Sequence, residues 1–513
     1  MHTIDRISES GRQSPVYELN LHETATDPAL GVTPYATNTN TTPPFNQCVP
    51  NLDRAPEFEV KWDSGDVQDP CSWPTWYKAF IVTTVSLGAT VVSLFSTLYT
   101  SGIPGLQADF HASKLVALLG LTTYLLGMAA GSLVVVPMSE SLGRRPLYIA
   151  SMAAFLALVL SSALAESIAT VIATRLFGGF FGSTMMSNSP ATVNDIVSDK
   201  HRALALGFWS MGPANGPVYG PLIGGFVYQH KGWRWTNLIV LIIGSVIFVL
   251  LASVKETYAP VLLKRRAAEK SKATGDDRWW TRYDHGQGLW PLLKINLYRP
   301  LKMMCTEPIC MFWNTYIGIV YATLCLCFVA YPIAFQQERS WAPGIGGLAF
   351  LGIGCGTLIP IAAEPLLRRI VNLHQKDPAT GNVKPEARVS IQLANFGSPG
   401  HAKPGTHWIV PILAGVPYGA GNAYTFIYAD NYMAQSYGIY ATSALTGTMV
   451  LRSIMGACLP LAGPSMYGTL GLSWAGTLLG LVEMLCVSVP VAFYFYGYKI
   501  RQGSPMIQEI TKL

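Results

Sequence analysis

Eleven runs of about twenty apolar residues, with the charges held almost entirely in the gaps between them, decide what this 513-residue chain can fold into. A helix of that length crosses the hydrocarbon core of a bilayer and satisfies its own backbone hydrogen bonds there, which open strands and loops cannot do. The runs lie at about 77–98, 115–137, 147–165, 168–190, 203–229 and 235–254, then at 309–335, 345–365, 407–428, 439–461 and 473–496. Only 12% of the residues are charged, against about 25% in soluble domains. The 48 Gly and 34 Pro are scattered through the apolar runs, as membrane helices tolerate. Disordered, collagen-like and disulfide-stapled secreted chains are excluded. The expected fold class is an all-α polytopic membrane protein.

The net charge of +6 hides a split. Residues 1–75 carry four basic and eleven acidic side chains, a net −7, which leaves +13 for the rest. This first stretch holds no apolar run long enough for a signal peptide, and its Ser, Thr, Asn and Pro content reads as disorder. The basic residues of the remainder sit in short gaps between runs, which argues against a nucleic-acid partner and for loops facing the cytoplasm. Arg144 and Arg145 follow the second run, Lys200 and Arg202 the fourth, and eleven Lys/Arg against five acids fill 255–302 after the sixth. All of these gaps share one side with the N-terminus, so the Asn40-Thr41-Thr42 sequon would stay unglycosylated. Seven of the nine Cys (Cys305 to Cys486) lie in or beside apolar runs without metal-ligand spacing, and read as packing residues.

Parity poses a question in the second half. With eleven crossings Lys499, Arg501 and Lys512 would end outside, against the positive-inside rule. A twelfth crossing would have to come from 388–406, yet that stretch is short and polar, with Arg388, His401 and Lys403 among its Gly and Pro.

Six runs, a long basic loop and five or six more form a two-halves layout. The motifs sharpen it. After the second run comes Gly131-Ser-Leu-Val-Val-Val-Pro137-Met-Ser-Glu140-Ser-Leu-Gly143-Arg144-Arg145-Pro146, in which Gly143 permits a tight turn and Glu140 with the arginines can form a charge latch. The fifth run carries Gly207, Gly216, Gly220-Pro221 and Gly224-Gly225. Glycines four apart line one helix face and let backbones approach, and Pro221 bends the helix. Arg175 stands in Arg-Leu-Phe-Gly-Gly-Phe-Phe-Gly-Ser, with Asp195 at the far end of the same run.

These residues resemble the cytoplasmic-loop signature, the antiporter motif and the buried-arginine motif of the major facilitator superfamily, in its fungal twelve-span drug:proton antiporter branch. Smaller agreements (Gly232-Trp233-Arg234-Trp235, Glu256-Thr257-Tyr258-Ala259-Pro260, Pro385-Glu386-Ala387-Arg388) extend the likeness from about residue 60 to 505. The resemblance implies two six-helix halves with span 9 degenerate. The implied organisation is a disordered acidic cytoplasmic tail (1–75), an N-terminal bundle (76–254), a basic cytoplasmic loop (255–305), a C-terminal bundle (306–498) and a cytoplasmic tail (499–513). It also implies a half–half interface formed by the glycine face of span 5, and proton coupling through Arg175 and Asp195.

A charge in a membrane span is a functional candidate by default. Arg452 and Glu483 lie deep in the second half, Glu483 being a protonatable candidate and pairing with Arg452 its bland alternative; for Arg175 the bland alternative is snorkelling to the outer interface. Tyr124, Trp209, Trp313, Tyr316, Tyr424 and Tyr428 are candidates for lining a cavity for planar apolar ligands. No nucleotide-binding, nucleophile–base or metal constellation is present, so neither an enzyme nor a bound cofactor or metal is expected. The expectation is proton-coupled efflux of drugs, toxins or secondary metabolites by alternating access, the protein acting as a monomer in the bilayer. A fungal plasma membrane is the expected setting, with a vacuolar membrane as the other. The alternatives are a facilitator or importer of an organic acid or nutrient, and a transport-dead or sensor protein if span 9 is lost.

Overall fold

The computed structural model describes residues 55–63, 65–283, 289–372 and 407–512. Each of the first six runs becomes a helix: α1 (Thr75–Ser101), then after the short α2 (Ile103–Phe110) come α3 (Lys114–Leu142), α4 (Arg144–Ala163), α5 (Ile168–Ile196), α6 (Asp199–Lys231) and α7 (Trp233–Ser253). The connecting segment forms α8 (Ala259–Thr274) and α9 (Leu289–Thr306). The second half contains α10 (Pro308–Tyr331), α11 (Pro343–Leu348), α12 (Leu351–Asn372), α13 (Ile409–Tyr437), α14 (Ala441–Cys486), α15 (Ser488–Gln502) and α16 (Pro505–Lys512). α14 is two helical segments that meet at Gly471, whose φ of 72° glycine adopts without strain; the first segment carries the tenth apolar run, and the second, with α15, carries the eleventh. Gly143 (φ 99°) and Gly232 (φ 81°) make the sharp α3–α4 and α6–α7 corners.

Glycines set the helix pairs. A Cβ on Gly127 or Gly131 of α3 would lie 2.0 or 2.2 Å from the carbonyl oxygen of Leu176 or Phe180 in α5. A Cβ on Gly352 or Gly356 of α12 would meet the carbonyl oxygens of Ile412 and Val416 in α13 at 1.9 and 2.1 Å. In both pairs the contacts advance together along the two helices, so each pair is parallel. Likewise α1 packs on α6 as α10 packs on α14. The helices after the gap therefore occupy the places that correspond to spans 4 and 5 of the first half, which are those of spans 10 and 11.

The chain's end answers the parity question. Ser504 donates from Oγ to Glu307 Oε2 at 2.5 Å, just ahead of α10, and Met506 N donates to Glu307 Oε1 at 3.4 Å. Lys499 and Arg501 thus lie at the end of the bundle where the α8–α9 connection enters the second half, as an even number of crossings requires. The stretch 388–406 itself, like the acidic tail up to residue 54, lies outside the described residues.

Residues 55–74 correct the reading of the whole first stretch as disordered. They include two 3-10 turns (Pro56–Phe58 and Pro70–Ser72) and strap onto the connection after α7. Val60 N donates to Trp280 O at 2.9 Å and Trp280 N to Phe58 O at 3.0 Å, a single bridge in an otherwise helical set of described residues. Arg282 pairs with Glu59 and Arg266 with Asp66, while Trp62, Trp279 and Tyr283 close over Val60, Leu263 and Ala267. The hydrogen bonds from Gln68 N and from Arg266 hold the Asp66 carboxyl below the ordinary carboxylate range. Acidic residues ahead of α1 have found basic partners on α8 (Arg266) and on the segment after it (Arg282), and the partial burial of three aromatic rings fixes them there.

Candidate functional site

At the connection end of the first half, Gly143 turns the chain so that the N-terminus of α4 points at Glu256. Its carboxylate accepts from Arg144 N (2.9 Å) and Arg145 N (3.1 Å), and from its own neighbours Thr257 N and Tyr258 N (both 3.0 Å). A carboxylate at a helix N-terminus meets both free N–H groups and the positive end of the dipole. Arg144, 6% exposed, donates from Nε to Asp195 at 3.1 Å and from Nη1 to Ser139 Oγ at 2.5 Å. The latch expected of Glu140 and the arginines is therefore built by Asp195 and Glu256, while Arg145 donates to Ala252 O at 2.9 Å. Asp195 belongs to this latch and not with Arg175, since the two stand twenty residues apart on α5, or about 30 Å. Glu256 escaped the sequence reading as a functional residue because its partners lie over a hundred positions away.

Arg175 does not snorkel. It is 0% exposed, and Nε donates to Gly120 O at 2.7 Å while Nη2 donates to Phe95 O and Ser96 O at 3.0 and 3.2 Å. Its guanidinium carbon sits 4.0 Å from the ring centroid of Tyr99, 4.5 Å from Phe95 and 5.1 Å from Tyr124. Nη1 is buried without a hydrogen-bond partner. One side chain thus knots α1, α3 and α5 through carbonyls and ring faces. Both tyrosines are fixed in turn, Tyr99 donating to Ala117 O and Tyr124 to Val92 O, each at 2.7 Å.

The glycine face of α6 packs somewhere other than expected. A Cβ on Gly216 would lie 2.4 Å from Ser93 Oγ, on Gly220 2.0 Å from Thr97 Oγ1 and on Gly224 2.9 Å from Ser101 Oγ, all in α1. The stripe seals α6 to α1 inside the first half, and Gly212, absent from the motif reading, belongs to it. Spacing reveals a face but not what covers it. The proline pattern explains the hydroxyls. Pro213 and Pro217 lack the N–H that would bond the carbonyls of residues 209 and 213. Ser86 Oγ donates to Trp209 O at 2.8 Å and Ser93 Oγ to Pro213 O at 3.3 Å, filling both vacancies. The contact between halves uses the neighbouring positions: a Cβ on Gly225 would meet Pro343 O at 2.4 Å, and one on Gly347 would meet Pro221 O at 2.3 Å. Gly207 faces open space. A second contact between halves runs from Thr122 Oγ1 to Ala457 O at 3.0 Å.

In the second half Glu483 lies against the Thr323 hydroxyl with Cys327 and Tyr418 nearby. Its Oε1 and the Tyr418 hydroxyl are buried without hydrogen-bond partners. Arg452 is not its partner. The Arg452 guanidinium stands over Phe426 and Tyr321, 5.1 and 5.5 Å from the ring centroids, and touches Met449 Sδ at 2.7 Å. It faces Asp430 of α13, a residue that was missed because the ninth apolar run seemed complete at 428 whereas the helix continues to Tyr437.

The aromatic candidates separate. Tyr124, Trp313 and Tyr316 are interior packing residues, at 0, 0 and 3% exposure, and Trp313 is wedged among Tyr316, Tyr432 and Phe493. Tyr424 and Tyr428 stack on each other at 6.0 Å, and Trp209 is half-buried with its indole N–H unpartnered. A cavity of about 110 Å³ does lie between the halves, at the end of α3 opposite the Arg144 latch, with Gln107, Lys114, Pro221, Phe328, Gln336 and Phe350 in its wall.

The chain matches the Major Facilitator Superfamily pattern over residues 85–450. It is 36% identical over 460 residues to "MFS-type efflux pump MFS2" of Trichophyton rubrum, covering 87% of this chain and 77% of that protein. It is 37% identical over 458 residues to "Major facilitator superfamily multidrug transporter mdrA" of Aspergillus fumigatus, covering 87% and 75%. Among solved structures, the human organic anion transporter MFSD10 superposes with a TM-score of 0.56 at 18% identity, over 82% of this chain and all of that one. With the glycine-sealed helix pairs repeated in both halves and this pattern running through most of its length, the chain belongs to the major facilitator superfamily.

Proposed function

We propose that the protein exports small, largely apolar or cationic organic molecules across the plasma membrane in exchange for protons, working as a monomer with its N-terminus in the cytoplasm. The observation that carries this reading is α6. One side of it is locked to α1, while Pro221 and Gly225 on another side bear on α11, so a rocking motion between halves has a rigid, smooth surface to move on. The family kinship to efflux pumps and multidrug transporters supports export. The charged latch of Arg144, Asp195 and Glu256 lies at the end that the basic loops assign to the cytoplasm, where it ties α4, α5 and the connection together.

Export is tested with rhodamine 6G as the probe, a fluorescent lipophilic cation. Cells carrying the protein are expected to accumulate less dye than empty cells, and a protonophore is expected to erase the difference. Glu483→Gln removes a group that can alternate between charged and neutral forms. It is expected to lose at least tenfold of the protonophore-sensitive flux while the protein still elutes as a folded species. Unchanged coupling in that variant would remove Glu483 from the mechanism.

Orientation has its own measurement. In a Cys-free background, Gln502→Cys should stay unlabelled by a membrane-impermeant maleimide in intact cells and become labelled after permeabilisation. Labelling of intact cells would place both the connection and the C-terminus outside.

A further inference from the structure

Asp430 is the one charged residue of α13, and Arg452 and Glu483 are the two of α14. Asp430 Oδ1 is buried without a hydrogen-bond partner, and a lone carboxylate in such a place is costly. Arg452 is the charge that acts on it across the α13–α14 contact. Yet among the described residues no carboxylate comes within 4.0 Å of Arg452, whose guanidinium rests instead on the rings of Phe426 and Tyr321. Phe426 lies one helical turn before Asp430, on the same face of α13. The other titratable groups facing this cluster are Tyr321 and Cys325 of α10 and Tyr124 of α3, phenols and a thiol, so among the described residues Asp430 is its only carboxyl group.

We propose that Asp430 and Arg452 form a second proton-operated switch, separate from Glu483. With a proton on Asp430, Arg452 stays between the aromatic faces and ties α14 both to α10, through Tyr321, and to α13, through Phe426. When the proton leaves, the guanidinium moves one turn along α13, about 6 Å, and pairs with the carboxylate, giving up Tyr321 and tying α14 to α13 alone. The proton passes to water and returns from it, and no bond other than the O–H is made or broken. The exchange converts protonation into the making or release of a tie between α14 and α10, which is what a half that must tilt requires. It adds a second proton-binding group to the coupling proposed above, but its test does not depend on transport.

The test is infrared difference spectroscopy of the full-length protein in lipid, recorded between acid and alkaline pH in a Glu483→Gln background. A carboxyl C=O band is expected that vanishes in Asp430→Asn. In Arg452→Leu the same band should titrate at a pH higher by about one unit or more, because removing a nearby positive charge favours the neutral acid. Arg452→Lys should restore most of that shift, and Arg452→Gln serves as the measurement if the leucine variant does not fold. A band that survives Asp430→Asn, or one that titrates unchanged when Arg452 is replaced by leucine or glutamine, overturns the proposal. If the switch titrates as expected while the wild type shows no protonophore-sensitive dye export, proton-coupled efflux is wrong and the charge switch stands.

Discussion

Gly220→Leu should abolish transport and strip the protein of most of its folded yield. The first added carbon alone would lie 2.0 Å from Thr97 Oγ1 and 2.9 Å from Leu98 N. Thr97 cannot swing clear without cost, since its hydroxyl bonds Gly216 O at 3.2 Å. Leucine would push α6 off α1, and the hydroxyl bonds from Ser86 and Ser93 to the proline-freed carbonyls would go with it. Overpacking typically costs about 1–3 kcal/mol, and a clash against a hydroxyl and backbone belongs at the upper end or beyond. Gly220→Ala should retain a fraction of the activity, and Gly207→Ala, which meets nothing within 4 Å, should stay within about twofold of wild type. Dye export normalised to the monodisperse fraction in size-exclusion chromatography checks all three. A Gly220→Leu protein that folds and pumps would mean that the α1–α6 seam is not needed closed.

Arg175→Ala should be as severe, and by a different route. It empties a fully buried site the size of a large side chain and removes the tie between the carbonyls of Gly120, Phe95 and Ser96. Truncations of large buried side chains cost about 3–5 kcal/mol, and little monodisperse protein is expected. Arg175→Lys is the more informative variant. A compact ammonium keeps the charge but cannot span from Gly120 O to Phe95 O as a planar fork does. It should fold with lowered thermal stability and transport at least tenfold more slowly. Full transport with lysine would reduce Arg175 to a source of charge, and the knot of three helices would lose its meaning.

The apolar runs made the spans legible. Burial in lipid is a requirement on length and hydropathy alone, so the run read at 77–98 and the helix Thr75–Ser101 differ by only a few residues. What one-dimensional reading could not supply was pairing. The glycines of α6 were visible as a face, but α11 and α1 were equally available to cover it. The choice fell to α1 because its Ser86 and Ser93 offer hydroxyls where the prolines leave carbonyls bare, and Thr97 adds a bond to Gly216 O. Glu256 looked like the start of a polar loop, and only the turn at Gly143 brings the N–H groups of α4 to it. Asp430 was lost to a length rule: a span was taken to end after about twenty residues, while α13 runs for 29. The break at Gly471, by contrast, falls between the runs read at 439–461 and 473–496, so those two spans were legible from hydropathy.

The proline-and-hydroxyl seam also bears on how the protein enters the membrane during synthesis. Eight helical stretches among the described residues are long and apolar enough to cross by themselves, and α6 is not one of them. Its 33 residues include Pro213, Pro217 and Pro221, and the carbonyls that the prolines leave open would be costly against lipid. The groups that satisfy two of those carbonyls belong to α1, which leaves the ribosome more than a hundred residues earlier. Stable residence of α6 in the bilayer therefore requires α1 to be waiting beside the translocon rather than released into lipid. The first half must assemble around its earliest helix, and substitutions at Ser86 or Ser93 should register as failed insertion of α6 before they register as lost transport.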